Sequence, residues 1–271
     1  YIICNKLEVL MKQNKKIAFT LAKGATHVAT YGNNKKIAFT LAEVLITLGI
    51  IGVVAALTIP TLIANYREHA LINQLKTTYA IFSEAYKLSV NENDSPENWD
   101  IGERATQEGA IKVYNYFKPF LKLSNDCNEN YGCFAQDYKT FSGENYGFQP
   151  DRHSMYTRGV LANGTAFAFS SAGTGCKMYQ APDYGIYCAM LYVDVNGYKN
   201  PNKTGIDYFG FIITPTGIVP LGKRGADDTP GNGYTCTHKG TNSGNGTGCT
   251  GWVLEKENMD YLRRDISEDW K

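Results

Sequence analysis

Residues 44–66 contain no charged side chain, a gap of 23 positions in a chain that is 20% charged. Such a stretch cannot be an ordinary solvated surface segment, and a helix needs roughly 20 apolar residues to cross a bilayer. Other absences narrow the chemistry. No Cys-x-x-Cys occurs, and the four histidines are scattered, so a zinc centre has little support. The glycines near 231–251 lack the lysine and the strand–helix setting of a phosphate-binding loop. Ser154 follows His153 with no elbow motif around it, so nucleophilic catalysis finds no footing and no enzyme activity is expected. His69 beside Glu68 reads as a solvated helix face, and His238 has no nameable partner.

Charge is unevenly placed. Residues 1–38 carry seven lysines and one acid, Glu8, which leaves 20 basic and 25 acidic residues, a formal −5, for the remainder. A mildly acidic remainder gives no reason to expect nucleic-acid binding. Lys35 and Lys36 stand just before the uncharged run, which predicts a cytoplasmic N-terminal side. Glu43 lies near its start, and a carboxylate near hydrocarbon needs a partner or a job. Gly49, Gly52, Ala55 and Ala56 leave room for close helix–helix approach.

Lys35-Lys36-Ile37-Ala38 followed by Phe39-Thr40-Leu41-Ala42-Glu43-Val44-Leu45-Ile46-Thr47-Leu48 resembles the N-terminal cleavage and methylation motif of type IV pilins and type II secretion pseudopilins. The resemblance implies a basic leader cut by a prepilin peptidase between Ala38 and Phe39, with Phe39 then N-methylated. Glu43 would be the acid at the fifth mature position, and Pro60 the helix-kinking proline at the 22nd. The family usually carries Gly before the cut, where this chain has the small residue Ala38. The resemblance implies copies of the same chain and other pilins or pseudopilins as partners, with an inner-membrane assembly platform. The amine of one subunit and the Glu43 carboxylate of a neighbour could neutralise each other in a packed bundle, offsetting the burial cost of both.

The expected organisation is a leader over 1–38, a long helix over 39–92 crossing the membrane at about 44–66, and a head over 93–271. The start codon is expected at Met11 or upstream of Tyr1. The segment 15–22 repeats at 35–42, but no apolar run follows the first copy, so it is not a second anchor. Pro60 should bend the helix. Leu71, Leu75, Phe82 and Tyr86, with Tyr79 beside them, form a stripe that should dock on the head. At 1.5 Å per residue the helix would be on the order of 78 Å long.

Further on, 108–123 reads as a short helix with Ile111, Tyr114, Phe117 and Phe120 on its apolar face and a break near Pro119. Strands are expected over 156–161, 165–170, 186–195, 208–214 and 217–221, with Asn163-Gly164 as a hairpin turn. Together they predict an antiparallel meander. The segment 222–251 reads as loop, and 252–264 as a last helix anchored by Trp252, Met259 and Leu262. A long helix followed by an antiparallel sheet is an α+β fold. The resemblance places that sheet on the outer half of the helix.

Beyond the leader stand Cys127, Cys133, Cys176, Cys188, Cys236 and Cys249. An even set fits an oxidising compartment and allows 15 pairings, of which proximity suggests 127–133, 176–188 and 236–249. Asp194, Asn196 and Asp207, in a run rich in Asn and Gly, could hold calcium through oxygen donors. The position that an EF-hand loop gives to Glu is Gly205, and a turn-rich strand connection explains the same residues. The chain has 19 tyrosines. If Tyr131, Tyr138, Tyr146, Tyr156, Tyr179, Tyr184, Tyr187 and Tyr192 were exposed, they would suit a glycan- or surface-binding patch; sheet and interface packing is the favoured account of them. The function expected is that of a filament subunit, first in a bacterial inner membrane with its head outside the cytoplasm, then in a periplasmic or cell-surface filament. The alternative is a membrane-anchored adhesin.

Overall fold

A computed structural model describes residues 40–178, 184–224 and 235–270. The chain divides into two units, Tyr1–Ala56 and Leu57–Lys271, each taken by itself below. Helix α1 (Leu41–Asn93) has 53 residues and contributes to both.

In the first unit, α1 presents Leu45, Ile46, Leu48, Ile50, Ile51 and Val53 to the outside. A Cβ placed on Gly49 or Gly52 would meet nothing within 4 Å, so this surface is open for close packing. The helix is long and apolar enough to cross a membrane, and none of its most apolar 18-residue window is buried. Exposed apolar area of this extent is unstable in water and calls for lipid or other helices.

In the second unit, α1 continues through Pro60 without a break in its helical assignment. The missing N–H removes one rung of the ladder. Further along, Ile72, Leu75, Thr78, Phe82, Ala85 and Ser89 are buried at steps of three or four on one face, with Tyr86 buried beside Ala85. Leu71 and Tyr79, expected within the stripe, lie at its half-buried edges.

Helix α2 (Gln107–Phe117) is capped by Thr106, whose side chain accepts the Gly109 N–H at 3.1 Å. A Cβ on Gly109 would stand 2.9 Å from the Ser171 Cβ, so only glycine lets α2 lie this close to the sheet. The helix stops at Phe117, and Pro119 sits in a 3₁₀ turn (Lys118–Phe120), short of the expected limit at 123. Its buried face is Ala110, Val113, Tyr114 and Phe117; Ile111 and Phe120 are only half-buried.

The strands are β1 (Leu123–Asn128), β2 (Lys139–Thr140), β3 (Thr157–Leu161), β4 (Ala166–Ser171), β5 (Lys177–Met178), β6 (Ile186–Tyr187), β7 (Ala189–Asp194), β8 (Lys203–Thr204), β9 (Tyr208–Thr214) and β10 (Gly217–Pro220). The main sheet has the order β1-β3-β4-β7-β9-β8-β2, with β10 also on β9. The pairs from β1 to β9 are antiparallel, as is β10 on β9, whereas β8 pairs parallel to β9 and to β2. The architecture is therefore α+β and pilin-like, with a mixed, antiparallel-dominated sheet.

Three expectations need correction. The strand expected over 186–195 is two strands, since β6 pairs with β5 in a separate two-stranded sheet and β7 joins the main one. Cys188 sits at the switch and is bonded to Cys176. The helix expected over 108–123 takes in Leu123, but Leu123–Asn128 forms edge strand β1, a strand not foreseen, with an irregular register against β3. The last helix is short: α3 (Thr250–Lys256) ends at Glu257, which takes a left-handed φ of 55°, and a 3₁₀ turn (Asp260–Leu262) follows. Within the expected loop 222–251, residues 225–234 lie outside the described residues.

The sheet is covered on both faces. On the helix side, Phe82 meets Phe167 and Phe169 edge-on at 5.3 and 5.9 Å, and Tyr79 stacks on Phe211 at 5.6 Å. The Tyr86 hydroxyl donates to the Thr214 carbonyl at 3.0 Å, tying α1 to the end of β9. On the opposite side, Phe134, Tyr138, Tyr146, Tyr156, Tyr192 and Tyr208 form a second core. Of the eight tyrosines singled out, Tyr138, Tyr146, Tyr156, Tyr184, Tyr187 and Tyr192 are buried and Tyr131 is exposed; Tyr179 lies outside the described residues. Those six are core residues, not a binding patch. Disulfides join Cys127 to Cys133, Cys176 to Cys188 and Cys236 to Cys249.

Candidate functional site

Two places combine unusual chemistry with defined geometry. The first is the start of α1. Thr40 precedes the helix, and its backbone N–H and hydroxyl both donate to the Glu43 carboxylate, at 2.7 and 2.8 Å. In return the Thr40 hydroxyl oxygen accepts the Glu43 N–H at 3.3 Å. This is a capping box, in which orphan donors at a helix start are satisfied reciprocally. Its sequence signal is Thr-x-x-Glu at 40–43, a capping pattern that the acid's place beside the apolar run overshadows. Glu43 thus has a local partner at the end of the apolar run. Ala38 and Phe39, the expected cut, lie outside the described residues.

The second is the β7–β9 connection. Asp194 ends β7 and Asp207 directly precedes β9; both are fully buried. Asp194 accepts the Tyr138 hydroxyl and the Asn196 N–H, the latter at 3.0 Å. Asp207 accepts the Lys203 N–H at 2.6 Å, the Asn202 N–H at 2.8 Å and the Asn196 side-chain amide at 3.2 Å. The structure therefore brings together all three residues expected to bind an ion. It also shows a structural use for Asp207, which closes the loop by taking main-chain donors.

The electrostatics are strained. Burial, and next the charge of Asp207, raises the Asp194 carboxyl well above the ordinary range. Burial pushes Asp207 up to about 6 against the opposing hydrogen bonds from Lys203, Asn202 and Asn196. The buried Oδ1 atoms of Asn196 and Asn202 have no hydrogen-bond partner among the described residues. The two carboxylates share one buried place, and the two orphaned amide oxygens belong to the loop that joins them; oxygen donors of these kinds suit a hard cation such as calcium rather than zinc. Among the described residues, no group of three or more His, Cys, Asp and Glu side chains is placed to hold a metal. The fit therefore depends on amide oxygens as much as on carboxylates.

Other candidates resolve into structure. The His153 carbonyl accepts the Arg158 guanidinium, and the His153 ring lies against Phe148 and Tyr156. His238 Nδ1 lies 2.8 Å from the Tyr261 carbonyl. His69 is exposed.

Residues 33–59 match the family model of the prokaryotic N-terminal methylation motif, which marks type IV pilin- and pseudopilin-type proteins. No curated protein and no solved structure matches the chain.

Proposed function

We propose that this chain is the precursor of a pilin-type filament subunit. The observation that carries the reading is the helical run 41–66, which bears residues 41–59 of the methylation motif and an exposed apolar surface. On this reading a prepilin peptidase removes residues 1–38 and Phe39 becomes the methylated N-terminus. The helix rests in the bacterial inner membrane with the head outside the cytoplasm until an assembly platform moves it into a filament. There it packs against copies of itself and against other pilins or pseudopilins. Heterologous contacts between identical subunits that do not close on themselves generate filaments rather than rings. Whether the filament is a type IV pilus or a type II secretion pseudopilus is read from where it accumulates, at the cell surface or in the periplasm. The test is N-terminal mass analysis of the mature protein. Methylated Phe39 as the first residue supports the reading, and an intact leader in cells with working pilus machinery overturns it.

The burial of six of the eight tyrosines argues against the adhesin alternative. The orphaned oxygens of Asn196 and Asn202 favour a second, compatible feature, a calcium ion held between Asp194, Asn196, Asn202 and Asp207. The ion would supply positive charge where two buried carboxylates repel, and would lock the β7–β9 loop.

A further inference from the structure

We propose that the second unit carries a headgroup site for an anionic phospholipid of the leaflet at which α1 emerges. A cleft of about 1290 Å³ opens between α1, the β3–β4 turn, the β7–β8 loop and the segment after α3. Two Tyr–cation pairs from distant parts of the sequence line it: Tyr66-Arg67 on α1 and Tyr198-Lys199 in the β7–β8 loop. Tyr66 is 63% exposed and Tyr198 56% exposed. A phenol has an apolar body and a polar tip, and such rings gather where hydrocarbon meets water.

The charge balance is uneven. The cleft has one acid, Glu68, and three cations, Arg67, Lys199 and Arg263. Glu68 is already engaged by the Arg263 guanidinium and by the Met259 N–H at 3.0 Å. Arg67 and Lys199 make no ion pair among the described residues. Two unneutralised cations therefore face one cavity, which complements a phosphate-bearing anion. Leu71, Ile206 and Met259 also line the cleft and give it apolar surface that suits the glycerol and first methylenes of a lipid.

Position selects the source of that anion. Leu57, Ile59, Leu62 and Ile63 are exposed apolar residues of the same unit and directly precede Tyr66 along the helix. The uncharged run 44–66 spans on the order of 35 Å at 1.5 Å per residue, against about 30 Å of hydrocarbon. Arg67 is the first charge past it, at the level of lipid phosphates. The inference rests on the membrane-anchored reading proposed above. Such a site would hold the head against the bilayer surface before assembly, and would have to release its lipid when the subunit leaves.

Native mass spectrometry of the full chain in detergent, titrated with phosphatidylglycerol or with phosphatidylcholine of the same acyl chains, tests it. One phosphatidylglycerol per chain should be retained in preference to phosphatidylcholine. The double variant Arg67→Gln/Lys199→Gln should weaken that retention about 25-fold, at about fivefold per cation. Lys87→Gln, an exposed cation elsewhere on α1, should leave retention unchanged. Arg67→Lys/Lys199→Arg, which keeps both charges, should preserve it and separates charge from misfolding. Equal retention of phosphatidylglycerol by the chain and the double variant overturns the proposal, as does equal retention of the two lipids. Displacement by millimolar inorganic phosphate assigns the cleft to a free anion and overturns the lipid. A lipid-free dimer abolished by the same double variant assigns it to a second copy. A chain that is soluble without detergent overturns the anchored reading itself, whereas one that needs detergent but ignores phosphatidylglycerol overturns this inference alone.

Discussion

Thr40 and Glu43 hold each other at the start of α1: the carboxylate accepts both donors of Thr40, and the Thr40 hydroxyl accepts the Glu43 N–H. Replacing a capping Thr with Ala costs about 1 kcal/mol of helix stability, and Ser keeps most of the bond. Thr40→Ala should therefore fray the first turn and reduce filament yield, while Thr40→Ser should not. Glu43→Ala should leave membrane insertion intact and abolish incorporation. Comparing the membrane fraction with sheared filaments reads both. A Glu43→Ala chain that reaches filaments at the normal level removes the acid from assembly.

The buried Asp194–Asp207 pair predicts a response to calcium. At pH 7.5, millimolar calcium should raise the thermal midpoint of the chain by about 5 °C, given about 2–4 °C per kcal/mol for a domain of this size. Magnesium, which dehydrates reluctantly, should do much less. Asp207→Asn should lose the response. Without calcium, the raised value of Asp207, about 6, means that the folded chain binds more protons than the unfolded one between roughly pH 4 and 6. Stability should fall as pH rises through that window, and Asp207→Asn should flatten the slope. No calcium shift in differential scanning calorimetry would leave Asp207 with its loop-closing role only.

Glu68 behaves in the opposite sense. Burial works to raise its carboxyl, but the hydrogen bonds from Arg263 and the Met259 N–H, with the charges of Arg263 and His69, outweigh that and hold it below the ordinary range. The pair is fully present above the ordinary carboxylate range and is lost as pH falls through the lowered value. Arg263 is half exposed, so the contribution is about 1 kcal/mol. Glu68→Gln should lower the midpoint slightly at pH 7 and not at pH 3, and should speed hydrogen exchange at the Met259 amide.

Arg158 is fully buried and donates to four carbonyls rather than to a carboxylate: Pro150 at 2.7 Å, Tyr156 at 3.1 Å, Glu129 at 3.3 Å, and His153. Its guanidinium also lies 4.9 Å from the centre of the Tyr131 ring. It pins the loop between β2 and β3. Arg158→Met fills similar space but leaves those acceptors bare, at about 3 kcal/mol or more in total. The thermal midpoint should drop by roughly 6–12 °C at about 2–4 °C per kcal/mol. Arg158→Lys, with fewer and differently aimed donors, should recover only part.

How far each element could be read in advance follows from where its information lies. Strands β3, β4 and β9 carry β-branched and aromatic residues, and Asn163-Gly164 supplies a turn in which Gly164 takes a φ of 89°. These are local signals and they survive folding. Strand β1, Leu-Ser-Asn-Asp-Cys-Asn, has neither alternation nor β-branched residues; it is a strand because β3 offers it an edge and Cys127 is tied to Cys133. Residues 186–195 read as one strand because composition cannot report a change of sheet at Cys188. The tyrosines were ambiguous because a phenol is stable in either setting until its hydroxyl has a partner. The Tyr138 hydroxyl finds Asp194, 56 positions away.

The apolar helix is written in the chain directly: a charge-free run, a basic stretch before it, and Thr-x-x-Glu at its head, all short-range properties that need no partner to be defined. The sequence also sets the helix-then-sheet order, because hydrophobic period is local. Folding, by contrast, puts Asp194 and Asp207 in one buried place and opens Tyr66-Arg67 and Tyr198-Lys199 onto one cleft. Those meetings join residues that are 13 and about 130 positions apart. Their energies come from exclusion of water and the charge of a neighbour, neither of which exists until the chain has folded.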